Sequence, residues 1–239
     1  LCREQGVELT SFEQVVGGDK RDDCFAYVSM QKASDYACED VYGALLLWKD
    51  FEKRLEEFEL TSLLMDVESP LITILAEMEL EGIRVDKGFL ATLQMEFQNK
   101  LTTLEGEIHE LAGKDFNINS PSQLGRILFE DLELPHGRKT KTGYSTDIKV
   151  LEKLAPKHPL PAKVIAYRNM AKLLSTYVEK LAELAEEGTD RVHTSFNQAV
   201  TATGRLSSSN PNMQNIPIRT EDGNRIRQAF IPGEGKMFL

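Results

Sequence analysis

The hydrophobic period of this chain changes at Gly188, and that change constrains the fold more than any other feature. Before it, apolar residues recur at steps of three and four. Val41, Leu45, Trp48, Phe51, Leu55 and Phe58 make one such stripe over 31–59, the pattern of a helix with a single buried face; Gly43 interrupts it. Further helices are expected from Ser69-Pro70, after a break at 61–65, to near Gly82, with the proline at the first helical position. Another is expected over 87–112. Ser120-Pro121-Ser122-Gln123 has capping-box spacing and should open a helix to about Asp131. Thr146 should cap a short helix, and 161–187 should form a long one of ~40 Å. After Gly188, 192–196 and 199–203 alternate like strands, and Ile83-Arg84-Val85 also reads as a short strand. The expected class is α+β: a mostly helical body, a helical projection and the beginning of a sheet.

Charge is distributed very unevenly. The net charge is −10, which taken alone argues against a polyanionic partner. Residues 1–136 carry a balance of −16, whereas 137–172 carry 9 Lys and Arg against 2 Asp and Glu. A basic segment of that density in an acidic protein is a local footprint for phosphates, although a solvated lysine-rich helix face has the same composition. The segment opens with a Gly-containing loop, His-Gly-Arg-Lys-Thr-Lys-Thr-Gly-Tyr-Ser-Thr, over 136–146. No apolar run approaches the ~20 residues of a membrane span. The three cysteines, Cys2, Cys24 and Cys38, lack C-x-x-C spacing. A reduced, cytoplasmic protein without a membrane partner is the simple account.

The run over 201–219, T-A-T-G-R-L-S-S-S-N-P-N-M-Q-N-I-P-I-R, holds no acid. It sets Arg205, Asn212, Gln214, Asn215 and Arg219 among a glycine and two prolines. Such composition usually marks a polar loop of turns. Fixed backbone with neutral and cationic donors also suits a nucleic-acid backbone or minor groove, where acceptor atoms crowd. The literal string resembles the T-x-T-G-R-L-S-S…P-N-L-Q-N-I-P-x-R stretch of family A DNA polymerases. Met213 stands for the usual Leu, a volume-conserving exchange. The basic loop, the Tyr167-Arg168-Asn169-Met170-Ala171-Lys172 stretch and Ser175-Thr176-Tyr177 resemble the thumb of that family. Arg191-Val192-His193-Thr194 resembles the return into its palm.

That resemblance implies a thumb lying along the minor groove of a primer–template duplex. Backbone contacts would fall to Lys139, Lys141, Ser145, Thr146, Arg168 and Lys172, because phosphate binding is largely charge neutralisation with counterion release. Arg168 and Lys172, at i and i+4, should share one helix face. Arg205 would donate into the minor groove near the primer terminus, with Asn212, Gln214 and Asn215 nearby. Acceptors there look alike for every correct pair, so such donors sense geometry without reading sequence. Arg219 and Arg227 either face incoming phosphates or hold the palm together.

Tyr36-Ala37-Cys38-Glu39-Asp40 resembles the Y-x-x-x-D motif of the family's 3′–5′ exonuclease domain, in which the aspartate binds a divalent metal and the tyrosine orients the reacting groups. A helix-surface pair has the same spacing. Asp66-Val67-Glu68 has the D-x-E spacing of a companion motif, but acids just before Pro70 suit a helix start. The chain opens at Leu1 and closes on Lys236-Met237-Phe238-Leu239, which reads as the opening of an apolar strand. The family's Asp-Tyr-Ser metal motif would follow it.

The expectation is therefore a mostly helical thumb with part of an antiparallel palm sheet, preceded by the end of an exonuclease-like domain. The parts would be 1–60 (exonuclease-like), 61–136 (base of palm and thumb), 137–190 (thumb) and 191–239 (first part of the palm). The resemblance implies a longer, monomeric polymerase that binds primer–template DNA and deoxynucleoside triphosphates and uses Mg2+ for nucleotidyl transfer in replication and repair. The polymerase aspartates would lie outside these residues, leaving them inactive alone. A non-catalytic duplex-binding module and an exonuclease relative are the other readings.

Overall fold

The computed structural model describes residues 2, 6–136, 143–218 and 220–237. The chain divides into two compact units, Leu1–Ile74 and Leu75–Leu239.

In the first unit, α1 (Phe12–Val16) opens with a full capping box. The Ser11 side chain accepts from the Gln14 amide and the Gln14 side chain accepts from the Ser11 amide, so two orphan donors are satisfied reciprocally. The long helix α2 (Met30–Glu57) is capped by Ser29 and coincides with the expected span. Its apolar stripe is not buried: Val41 is 70% exposed, Trp48 45% and Phe58 65%. Gly43 is the buried residue of this helix. A Cβ there would lie 3.0 Å from Leu9 Cδ1 and 3.3 Å from Cys2 Sγ, so the small residue admits the N-terminal segment.

The break expected at 61–65 falls earlier, at 58–60, where Glu59 adopts φ 56° and the helix resumes at Thr61. A π-helical stretch, Leu63–Glu68, runs directly into α3 (Ser69–Glu81). The Ser69 amide donates to the Leu64 carbonyl, five residues back. That wide turn immediately precedes Pro70, which has no amide hydrogen for an α-turn.

In the second unit, β1 (Ile83–Arg84) leads to α4 (Lys87–Ala112), whose span matches expectation and whose cap is Asp86. Next, α5 (Pro121–Arg126) continues as a π-helical turn to Asp131. Only half of its capping box forms. Ser120 Oγ accepts from the Gln123 amide at 3.4 Å, but Gln123 Oε1 accepts from the Asn117 amide at 2.8 Å. The short helix α6 (Ile148–Leu154) is capped by Asp147 rather than Thr146. The long helix runs over 159–184 as α7 (Pro159–Leu173), a π-helical stretch Leu174–Glu179 and α8 (Lys180–Leu184). It starts two residues earlier than expected because Pro159 fits the first turn and His158 Nδ1 accepts the Leu160 amide at 3.2 Å.

Two short antiparallel pairs follow. Strand β2 (Arg191–Val192) pairs with β1, and β3 (Ser195–Asn197) pairs with β4 (Ser207–Ser209). Residues 199–203 form no strand: Val200 is exposed, and the chain turns through Gly204 at φ 73°. The strand that does form reads Ser-Ser-Ser, with only Ser208 buried. Helix α9 (Glu221–Gln228) closes the described fold. One apolar core gathers Leu90, Leu93 and Phe97 of α4 with Met170, Leu174, Val178 and Ile226. A second lies further along α4 and α7, around Ile108, Leu124, Leu151, Leu160 and Val164. Burying these side chains is the main favourable term holding α4 against the long helix. The class is α+β, as expected. Among the described residues no helix is long and apolar enough to cross a membrane.

Candidate nucleic-acid interface

The loop at 210–218 is shaped by bonds that leave its polar side chains outward. Asn210 adopts φ 55° before a cis peptide to Pro211. Thr194 Oγ1 donates to the Pro211 carbonyl at 2.7 Å, with a longer contact of 3.1 Å to that of Ser209. The buried Ser208 Oγ accepts from the Met213 amide at 3.0 Å. Asn212 Oδ1 accepts from the amides of both Gln214 (3.0 Å) and Asn215 (3.2 Å). Because its oxygen is committed to the backbone, its amide nitrogen is the end left to act as a donor. The buried Tyr177 of the long helix donates its hydroxyl to the Asn215 carbonyl at 2.5 Å.

Between this loop and the long helix lies a cavity of about 1040 Å³. The loop contributes Asn212, Gln214 and Asn215; the helix contributes Asn169, Lys172 and Thr176. All six are exposed. Its floor is apolar, with Met170, Leu173, Met213 and Ile216. Asp222 is the acid among the described lining residues, and Lys100 neutralises it at 2.6 Å. The cavity therefore presents amide and hydroxyl donors and one cation to whatever enters. Asn169 and Thr176 were not singled out from the sequence, though their spacing from Lys172 by three and four residues places all three on one face.

Arg168 departs from its expected place. It lies one turn from Lys172, but its guanidinium turns to Thr146, donating to the carbonyl at 2.5 Å and reaching the hydroxyl at 3.4 Å. Burial pulls its pKa below the ordinary arginine value. Thr146 is itself buried, 6% exposed, so its side chain is packed rather than displayed. Ser145 Oγ donates to Asp147 Oδ2 at 2.7 Å. That bond, followed by the one from the Val150 amide, holds the Asp147 carboxyl below its ordinary range. The Lys139 and Lys141 positions lie outside the described residues, as does Arg219.

Arg205 is exposed, and its guanidinium has no hydrogen-bond partner among the described residues. Its carbonyl accepts from Thr201 Oγ1, which closes the turn that presents it. Arg205 does not line the cavity.

In the first unit, Tyr36 and Asp40 sit one turn apart on α2 as expected. The Tyr36 hydroxyl is raised above its ordinary pKa by burial, then by the Asp40 charge and a hydrogen bond to it. Glu39 accepts from the Thr10 amide at 2.8 Å. Two-metal chemistry needs several converging carboxylates. Among the described residues no group of three or more His, Cys, Asp or Glu side chains could hold a metal ion.

The packing of α4 against the long helix, joined to short antiparallel strands and carrying a donor-lined cavity, defines an α+β architecture. Residues 87–239 match the family described as DNA polymerase family A, and the chain belongs to that family. It is 47% identical over 235 residues to DNA polymerase I of Synechocystis sp., covering 97% of this chain and 24% of that protein. It is 52% identical over 203 residues to DNA polymerase I of Bacillus caldotenax, covering 83% of this chain and 23% of that protein. The chain thus spans about a quarter of the length of these curated relatives. The polymerase domain of Pol1 from M. smegmatis, solved with DNA primer-template and dNTP, superimposes with a TM-score of 0.76 at 43% identity. That match covers 86% of this chain and 35% of the other.

Proposed function

We propose that these residues hold primer–template duplex DNA for a template-directed DNA polymerase. The whole protein would extend primers with deoxynucleoside triphosphates by metal-dependent nucleotidyl transfer, in replication and repair. The observation that carries this reading is the convergence of Lys172, Asn212, Gln214 and Asn215 from two distant segments onto one cavity. Donors on a preorganised loop suit minor-groove acceptors, and Lys172 suits a phosphate. The related Pol1 domain carries primer-template DNA and dNTP, which supports the same partners here. Residues 137–190 would be the thumb and 191–239 the first part of the palm. The carboxylates of the reaction would come from outside the described residues, and Mg2+ would supply charge stabilisation there.

The test is duplex binding by the 239-residue chain as salt is raised. Affinity should fall by ~0.9 log units per log unit of salt for each phosphate neutralised. Lys172→Ala should reduce that slope by about 1. Salt-independent affinity, or a slope unchanged by that substitution, would overturn the proposal.

A further inference from the structure

We infer that Tyr177 is a positioning residue for the loop donors. Its hydroxyl is committed to the Asn215 carbonyl and acts through that residue. The Asn215 peptide groups are held on both sides, the amide by Asn212 Oδ1 at 3.2 Å and the carbonyl by Tyr177 at 2.5 Å. Tyr177 sits in the π-helical stretch, one residue after Thr176 and five after Lys172. Its ring is buried in the core with Leu174, Val178 and Leu181, so the hydroxyl has little freedom to move. One bond therefore ties the helical rim of the cavity to the loop rim. With it in place, the Asn212 amide group and the Lys172 ammonium are presented at a set spacing. Without it, the buried ring still packs and Met213 and Ile216 still rest on the core, but among the described residues the side-chain hydrogen bonds that reach the loop from outside it are those of Thr194 and Ser208, at its other end.

This inference rests on the reading of the cavity as a duplex site, and it makes a selective demand. Loss of the hydroxyl should uncouple the loop donors while sparing the helix cation. Such selectivity separates positioning from general destabilisation, which would weaken both rims alike.

The experiment uses Tyr177→Phe in the 239-residue chain, with a recessed-end duplex as the probe. In the native background Asn212→Ala should weaken duplex binding about tenfold, the loss of one good hydrogen bond. In the Tyr177→Phe background the same substitution should cost about twofold or less, while Lys172→Ala costs the same in both. Equal Asn212→Ala penalties in the two backgrounds overturn the inference alone. No Asn212→Ala penalty in the native chain overturns the duplex reading of the loop and the inference with it. A readout without DNA runs alongside: in Tyr177→Phe, amide exchange of Gln214 and Asn215 should speed about tenfold, with the Leu93 and Phe97 amides unchanged. Unaltered exchange at Gln214 and Asn215 also overturns it.

Discussion

Arg168 binds the backbone of Thr146 across 22 residues of sequence, with Nη1 donating to the carbonyl at 2.5 Å. The bond fastens the long helix to the segment that leads into α6. A buried carbonyl left without its charged donor is costly, so Arg168→Ala should lower stability by ~1.5–3 kcal/mol. Lys172→Ala, at an exposed position, should stay within about 0.5 kcal/mol. Urea denaturation of the two variants checks the contrast. Equal stabilities would show that the Arg168 contact carries no weight.

Asn212→Asp separates the two jobs of that side chain. The carboxylate keeps an acceptor for the Gln214 and Asn215 amides but loses the outward donor and adds a negative charge. Melting should shift by only a few degrees, in line with a stability change under ~1 kcal/mol. Duplex affinity should fall more than about tenfold, since an acceptor then faces acceptors. An Asn212→Asp chain that binds duplex as well as the native one would remove Asn212 from the interface.

Three glycines should respond to alanine in opposite directions. At Gly223 a Cβ would lie 2.8 Å from Pro217 Cβ and 2.9 Å from Thr220 Oγ1, where overpacking costs ~1–3 kcal/mol. At Gly82 it would lie 2.8 Å from the His193 ring, at a backbone φ of +61°. Both strain and contact oppose the change there. Within α4, Gly106 has open space around that position, so Gly106→Ala should stabilise by ~0.5–1 kcal/mol through helix propensity. Thermal melts of the three variants give the signs directly.

Acid should loosen the contact between α4 and α9. The hydrogen bond from Arg225 holds the Glu96 carboxyl below its ordinary range, with further help from the charges of Arg225 and Lys100. Glu81 is lowered in the same way, first by the Lys236 hydrogen bond and then by the charges of Arg191 and Lys236. A depressed folded pKa means that the stabilisation is fully present above the unfolded value, ~4.3 for a glutamate. It is lost as pH falls through the folded value. Urea midpoints should be flat from about pH 7 to 5 and fall below about 4.5. Glu96→Gln should make that acid limb shallower. An unchanged acid limb would assign the loss to other carboxylates.

Much of the secondary structure was legible because it depends on local chemistry. The span of α4 follows from its period, and the structure adds Asp86 as its cap. That of α2 follows from its apolar stripe, even though the stripe stays exposed, and the structure adds Ser29 as its cap. The family, too, is written in the literal run over 201–219. Other features depend on contacts from further along the chain. Thr146 looks like a cap, but Arg168, a full helix away, takes its carbonyl and leaves capping to Asp147. The Ser207–Ser209 strand carries no strand-like hydrophobicity; its pairing with β3 and the burial of Ser208 create it.

The sequence by itself determined the helical periods, the density of cations over 137–172 and the acid-free donor run, because each is a property of neighbouring residues. Only the tertiary structure decided which of those polar groups meet. It turned Arg168 inward and left Arg205 facing solvent. It also brought Lys172 and Thr176 together with Asn212 and Asn215 around one cavity, with a tyrosine hydroxyl bonded to the loop. The physical reason is that a side chain's role is set by which partners are already taken, and those partners lie 22 residues away for Arg168 and 38 for Tyr177.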